Sequence, residues 1–178
     1  MIKLKFNQSM IDQAISDGNQ LGSLYNSKMK GKSNWVGLLS EAAIAKYYGS
    51  KAIPSNGHRH YDLIINGHKV EVKSKLNYSD EWSIYESSKF QQPDYYMFVR
   101  VSDLSKAGKD ITAIKLAGFI PYYEFWNDSI FHPKGTKHLQ NGYVSNDNHY
   151  NIFQRQLTCV SNTTIFGIGN EVQLKLSI

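Results

Sequence analysis

The twelve residues Asp62-Leu-Ile-Ile-Asn-Gly-His-Lys-Val-Glu71-Val-Lys73 decide how the centre of this chain folds. Asn66-Gly67 lies between two runs rich in apolar and β-branched residues, and both residues tolerate the positive φ angles of a two-residue hairpin turn. The segment is therefore predicted to be a β-hairpin. A turn centred there fixes the register, which pairs Ile65 with His68, Ile64 with Lys69, Leu63 with Val70 and Asp62 with Glu71.

The predicted register gathers charge on one face of the hairpin. Side chains alternate along a strand, so Asp62, Glu71 and Lys73 share a face. Directly opposed Cβ atoms lie roughly 5 Å apart, and like charges at that spacing repel. A divalent cation bound by the carboxylate oxygens would relieve the repulsion. Two alternatives remain: a solvated strand face, or a three-residue turn that separates Asp62 from Glu71.

A third acidic residue precedes the hairpin. Residues 35–49 are predicted to form a helix, because they are rich in Ala and Leu and end in Gly49, a residue suited to the C-terminal stop. The segment is apolar almost all round, so it should be largely buried. A buried Glu41 needs a partner. That partner is either a lysine, such as Lys46 or Lys73, or a metal ion, which the neighbouring hairpin favours.

A helical glutamate, then an aspartate, then Glu-x-Lys on a hairpin resembles the PD-(D/E)XK nuclease superfamily, over about residues 35–120. Tyr61 stands where the proline of the family pattern would be. The resemblance implies a restriction-endonuclease-like core and a site that binds Mg²⁺, for which Mn²⁺ is expected to substitute. It implies that the metal ligands are Asp62, Glu71, the backbone carbonyl of Val72 and Glu41, and that Lys73 orients or activates the attacking water.

The function implied by this resemblance is a metal-dependent DNA endonuclease that hydrolyses phosphodiester bonds. An exonuclease or a Holliday-junction-type resolvase of the same fold remains open, as does RNA as the substrate. A catalytically inert nucleic-acid-binding protein is the alternative from another class. Cutting both strands of a duplex usually needs two active sites, so a homodimer is compatible with the implied activity.

Composition agrees with a polyanionic partner. The 178 residues carry a formal net charge of +5, which favours association with nucleic acid. The length predicts a single domain, residues 1–178, with the core at about 35–120 and a C-terminal extension at 121–178. The basic residues expected to contact phosphates are Lys28, Lys30, Lys32, Arg59 and Lys75, with a solvated surface as the alternative for each cluster.

Three other patterns carry little weight. Gly31-Lys32-Ser33 resembles the end of a phosphate-binding loop, but Asn26 stands where its first glycine is required, so no nucleotide cofactor is expected. A single cysteine, Cys159, excludes an intramolecular disulfide. The sequence shows no apolar stretch long enough to span a membrane and no signal peptide, which predicts a cytoplasmic protein.

The fold class expected from the whole sequence is α/β, an α+β mixture in which a central mixed β-sheet is flanked by helices. Helices are predicted at 8–25, 35–49, 84–92 and 121–126, and strands at 95–101, 111–120, 152–160 and 171–178 in addition to the hairpin. Residues 77–82 are predicted to be a polar turn, 103–110 a loop, and 127–151 a long irregular segment.

Overall fold

The computed structural model describes residues 1–21, 34–50, 60–76, 79–102, 113–137, 144–159 and 166, and it has a mixed α/β architecture. Its helices are α1 (Gln8–Leu21), α2 (Asn34–Tyr48) and α3 (Tyr122–Asp128). Its strands are β1 (Ile2–Leu4), β2 (Leu63–Ile65), β3 (His68–Lys75), β4 (Glu81–Tyr85), β5 (Tyr95–Ser102), β6 (Ala113–Pro121), β7 (Ile130–His132) and β8 (His149–Phe153). None of the helices in the described ranges is long and apolar enough to cross a membrane.

The larger sheet has five strands in the order β1-β6-β5-β3-β2. Neighbouring strands are antiparallel except β3 and β5, which run parallel. Helices α1 and α2 pack together and cover one face of this sheet, so Leu39 and Ile44 of α2 meet Val70 and Val99 in a buried core. The predicted mixed sheet with flanking helices is confirmed.

The smaller sheet has three antiparallel strands in the order β4-β8-β7. Together with α3 it covers the opposite face of the larger sheet, where Trp82 and Ile152 pack against Phe98 and Phe125. Strand β5 is consequently buried on both faces, since Met97 and Val99 point into the helical core while Phe98 points into this second one. A run such as Tyr-Tyr-Met-Phe-Val suits that position because nearly every side chain in it is apolar.

The hairpin forms with the predicted register. Leu63 pairs with Val70, Ile64 with Lys69 and Ile65 with His68. Asn66 and Gly67 form the turn with φ angles of 50° and 82°, which is the backbone that Asn-Gly favours. Ladder pairing stops at Leu63, however, so Asp62 and Glu71 do not form the predicted strand pair. Asp62 leaves strand geometry, and its N–H donates to the carbonyl of Val70 at 2.9 Å.

Helix α2 ends where the sequence indicates. Gly49 follows its last residue with a φ of 66°, a left-handed conformation that glycine adopts without a steric cost. The N–H of Gly49 donates to the carbonyl of Lys46, and the N–H of Ser50 donates to that of Ala45. This pair of bonds is a Schellman motif, which satisfies carbonyls at the helix end. Glu41 lies in the middle of the helix that ends in this way.

Two predicted elements are wrong. Residues 84–92 are not a helix: Ile84 and Tyr85 belong to a strand, β4, and a short 3-10 turn, Glu86–Ser88, follows. The predicted polar turn at 77–82 ends earlier, because Glu81 and Trp82 already belong to β4. Strand β4 forms because it pairs with β8 over five residues and buries alternate side chains. Tertiary pairing thus overrides the local helix propensity.

Other predictions fall partly or wholly outside the described residues. The first helix is confirmed over Gln8–Leu21, and the short helix after residue 121 is confirmed as α3. The predicted irregular segment at 127–151 contains β7, and the strand predicted from residue 152 begins at His149 and ends at Phe153. The predictions for the loop at 103–110, the strand at 171–178, and Lys28, Lys30, Lys32 and Arg59 lie outside the described residues.

A close approach at Gly118 predicts that Gly118→Ala destabilises the fold. A Cβ atom there would lie 2.8 Å from the carbonyl oxygen of Thr158 and 2.8 Å from the Cβ of Leu157. Overpacking of this kind costs about 2 kcal/mol, which should appear as a lower free energy of unfolding in a urea titration. Gly37→Ala in α2 is the control, because its Cβ meets only the Glu41 Oε1 atom at 3.7 Å. An unchanged stability of Gly118→Ala would contradict the described contact.

Candidate functional site

The site is built at an open edge of β3. Strand β2 stops pairing at Leu63, so none of the described strands pairs with the backbone of Val72 on that side. The Asp62 carboxylate takes this place: its Oδ2 atom accepts the N–H of Val72 at 2.7 Å. A strand residue points its N–H and its C=O toward the same side. The carbonyl of Val72 therefore faces the same open edge as the aspartate.

Glu71 and Lys73 form an ion pair on β3. The Lys73 Nζ atom donates to the Glu71 Oε1 atom at 2.6 Å. The Glu71 side chain is 8% exposed and that of Lys73 is 26% exposed, so water screens the pair only weakly. The two residues are two positions apart on one strand, which puts both side chains on the same face. The Glu-x-Lys spacing thus produces the contact directly.

Glu41 approaches this pair from α2. Burial, followed by the charge of Glu71, raises the pKa of Glu41 to about 7, although the ammonium of Lys73 partly offsets both effects. Its carboxylate accepts no hydrogen bond from the described residues. Gly37, one helical turn earlier, has no side chain to crowd the Glu41 Oε1 atom. The helix therefore presents a buried carboxyl group to the cluster.

Asp62 and Lys73 respond to the same neighbours. Burial, and then the charges of Glu41 and Glu71, raise the pKa of Asp62 well above its ordinary value, against the opposing effects of Lys73 and the Val72 N–H. Burial alone would lower the pKa of Lys73, but the carboxylates of Glu71, Asp62 and Glu41 raise it on balance. The lysine is therefore cationic at neutral pH. The structure thus brings together the predicted residues Glu41, Asp62, Glu71 and Lys73.

The cluster is short of positive charge. Three carboxyl groups share one ammonium, so ionisation of all three would leave a net negative charge in a largely buried place. Lys46, the other lysine considered for Glu41, is exposed and its Nζ atom lies 4.0 Å from the Met10 sulfur. The electrostatic partner of Glu41 is accordingly Lys73.

The carboxyl groups do not converge as ready-made metal ligands. Within the described ranges, no three His, Cys, Asp or Glu side chains are arranged so that they could hold a metal ion directly. One oxygen of Glu71 is bound to Lys73, and one oxygen of Asp62 is bound to the Val72 N–H. Binding a cation between them would require these side chains to rotate toward a common centre.

Lys75, which the sequence predicts to contact phosphate, makes its contacts with other residues of the protein. Its ammonium donates to the carbonyl of Glu81 at 2.7 Å and to that of Ser79, and it lies 3.9 Å from the centre of the Trp82 ring. Burial and the adjacent Arg100 lower the pKa of Lys75 to about 8. These contacts tie the end of β3 to the start of β4.

Arg100 is a buried residue that the sequence did not single out. It lies opposite Lys75 on β5, is 7% exposed, and donates to the carbonyl of Ser79 at 2.8 Å. The sequence placed Arg100 in a strand, but only the pairing of β3 with β5 sets it beside Lys75. Predicting that Arg100 lies beside Lys75 would have required knowledge of the strand order.

The chain matches no protein-family model, and a search of curated proteins finds no similar sequence.

The raised pKa of Glu41 predicts a pH-dependent stability in metal-free protein. Glu41 keeps its proton up to about pH 7 when folded, whereas its ordinary pKa is 4.5. The unfolded chain therefore binds fewer protons between those values, and stability falls as pH rises through that window. Glu41→Gln should remove part of this fall and raise the unfolding free energy at pH 8 by on the order of 2 kcal/mol, measured by urea titration with EDTA.

The matched control is Glu86→Gln. Glu86 is exposed and accepts a hydrogen bond from the side-chain amide of Asn148, which a glutamine can also accept. Its replacement should leave the slope of stability against pH unchanged. A Glu41→Gln variant that follows the wild-type slope would show that Glu41 is not held neutral by its surroundings.

Proposed function

We propose that this protein is a metal-dependent DNA endonuclease with a restriction-endonuclease-like core. The observation that supports the proposal is that Glu41, Asp62 and Glu71 lie close enough to Lys73 for their charges to act on one another, at the edge of β3 where Asp62 binds the Val72 N–H. Each of these residues belongs to the pattern that resembles the PD-(D/E)XK superfamily. A purely structural cluster has little reason to crowd three carboxyl groups, because their mutual repulsion destabilises the fold.

The donor set suits a hard divalent cation. Mg²⁺ and Mn²⁺ prefer oxygen ligands, and the site offers carboxylate oxygens together with a backbone carbonyl. Asp62, Glu71 and the carbonyl of Val72 would hold the ion, with Glu41 completing the site. The bound ion would supply positive charge that polarises a phosphate oxygen of the substrate. Glu41 and Asp62 would release their protons on binding, since cation ligands must be ionised.

Lys73 has a separate role in this proposal. Its ammonium stays protonated because three acidic neighbours raise its pKa. It is held against Glu71 at 2.6 Å, so it stands next to the carboxylates rather than free in solvent. In this position it orients a water molecule or binds an oxygen of the scissile phosphate. Fixed positive charge near developing negative charge is among the most effective catalytic devices.

The order of elements agrees with the proposed core. Helix α2 precedes the hairpin β2–β3, and β3 then pairs in parallel with β5, which pairs antiparallel with β6. Helix α2 packs on the hairpin, which brings a helical glutamate to an edge formed by strands. The assignment of this arrangement to the restriction-endonuclease-like fold is part of the proposal.

The proposed metal site predicts stabilisation by Mg²⁺ or Mn²⁺. A ligand present at ten times its dissociation constant adds about 1.4 kcal/mol to the unfolding free energy. We expect millimolar metal to raise the melting temperature of wild-type protein at pH 8, and EDTA to reverse the effect. Asp62→Asn should lose most of this response. An equal response in wild type and Asp62→Asn would place the metal elsewhere.

The proposed activity predicts cleavage that depends on metal and on Lys73. Purified protein should cut at least one of supercoiled plasmid, linear duplex, single strand and four-way junction with Mg²⁺ or Mn²⁺, and none with EDTA. Lys73→Ala should lower the rate by about a hundredfold, since it removes one transition-state interaction. Lys3→Ala is the control, because Lys3 is exposed on β1 at the far edge of the sheet.

A catalytically inert nucleic-acid-binding protein is the second candidate. The 2.6 Å contact between Lys73 and Glu71 favours it, because the ammonium supplies charge that a cation would otherwise provide. Calorimetry distinguishes the two candidate functions, because only the nuclease is expected to bind Mg²⁺ or Mn²⁺. Retained DNA binding with no uptake of Mg²⁺ or Mn²⁺, even in the presence of DNA, would select the inert protein and contradict the nuclease.

A further inference from the structure

An exposed pair of aromatic rings includes His60, which comes two residues before Asp62 of the carboxylate cluster. Phe90 is 61% exposed, although phenylalanine is one of the most apolar side chains. The ring of His60, also exposed, meets it edge-on with ring centroids 5.7 Å apart and an interplanar angle of 84°. Single exposed apolar residues are common. A paired and oriented ring at a candidate active site is a more specific feature.

The chain ties this pair to the site through a very short segment. His60 precedes Asp62 by two residues, and two residues of extended chain span at most about 7 Å. Asp62 in turn binds the Val72 N–H at the open edge of β3. The Phe90 ring therefore lies within about 20 Å of the Asp62 carboxylate, which is a few nucleotides along an extended strand.

The turn that bears Phe90 is held in place on both sides. Lys89 donates its N–H to the carbonyl of Glu86, and its own carbonyl accepts the Tyr122 hydroxyl at 2.6 Å. At the other end, the Asp94 Oδ2 atom accepts the N–H of Lys69 at 2.7 Å, which joins the turn to the hairpin. The backbone that carries the ring is thus fixed in advance, which limits the entropy lost when a ligand binds.

An exposed lysine accompanies each of the two segments that carry the rings. Lys89 directly precedes Phe90, and its Nζ atom lies 5.4 Å from the centre of the Trp126 ring. Lys69 is exposed as well, and its Nζ atom lies 5.7 Å from the ring centre of Tyr61, the residue that follows His60. Stacking rings flanked by lysines are the combination that single-stranded nucleic acid requires, because the rings meet the bases and the lysines meet the phosphates.

We propose that Phe90 and His60 form a stacking platform for an unpaired base, so the DNA strand entering this site is single-stranded there. In a duplex the faces of each base are covered by its neighbours, whereas an unpaired base has a face to offer. This inference rests on the proposed nuclease function for the position of the scissile bond. It deepens that proposal by naming the substrate class: single strands, or single-stranded branches of a larger DNA.

The test measures binding without cleavage. Fluorescence anisotropy in EDTA compares a labelled single-stranded oligothymidylate with the matching duplex. Phe90→Ala should weaken single-strand binding about tenfold, since loss of one stacked base costs that order of affinity, and leave duplex binding unchanged. Phe90→Trp should restore the single-strand affinity. Tyr123→Ala is the matched control, because Tyr123 is an equally exposed aromatic residue, at 63%, on α3.

A second arm identifies the base as the partner. An oligonucleotide with abasic positions should bind wild type and Phe90→Ala with similar affinity, because the contact that distinguishes the proteins is missing. Full coupling in this double-mutant cycle supports stacking. Equal losses on single strand and duplex, an affinity of Phe90→Ala within twofold of wild type, or no single-strand binding by wild type would overturn the proposal.

The outcomes separate the platform from the nuclease. Single-strand binding that depends on Phe90, with no cleavage in any metal, would retain the platform and reject the nuclease. Metal-dependent cleavage that is lost in Lys73→Ala, with binding indifferent to Phe90, would do the reverse. Because Phe90 is largely exposed, its variants should unfold at the wild-type temperature, which a thermal scan checks directly.

Discussion

The hydrogen bond from the Val72 N–H to the Asp62 carboxylate is the constraint on which the candidate site depends. Strand β2 leaves the ladder at Leu63, and within the described part of the chain no other strand pairs with β3 on that side. An unpaired backbone N–H needs a partner, and Asp62 provides one. The same bond fixes the aspartate beside Glu71. One hydrogen bond therefore both satisfies the Val72 N–H and brings Asp62 close to the other acidic residues.

Local sequence signals predicted the parts of the site that lie close together in the chain. Asn66-Gly67 set the hairpin register, and that register placed Glu71 and Lys73 on one face with Asp62 nearby. The stop at Gly49 helped to define α2, which bears Glu41. Each of these features depends on a few consecutive residues. The contact of α2 with the hairpin was inferred from the need of a buried Glu41 for a partner and from a resemblance, since no local signal sets how two elements pack.

The predictions from sequence were wrong or incomplete where pairing between distant strands determines the structure. Residues 84–92 contain good helix formers, but β8 pairs with β4 across more than sixty residues and holds Ile84 in a strand. Arg100 and Phe90 escaped notice for a related reason. Arg100 meets Lys75 only because β5 lies next to β3, and Phe90 meets His60 only because the turn after β4 folds back to the hairpin. Contacts of this kind cannot be predicted from the sequence unless the order of the strands in the sheet is known.

The sheet order has a consequence for how the chain folds as it is synthesised. Strand β1 ends at residue 4 but pairs with β6, which begins at residue 113, and β4 pairs with β8, which begins at residue 149. The early strands therefore cannot pair until the late strands have left the ribosome. Contacts between residues far apart in the sequence also slow folding. Until β8 arrives, the layer that covers Tyr96 and Phe98 on one face of β5 is incomplete, because Ile152 of β8 is part of it. The nascent protein therefore has a long interval in which it is vulnerable to aggregation and suited to chaperone capture.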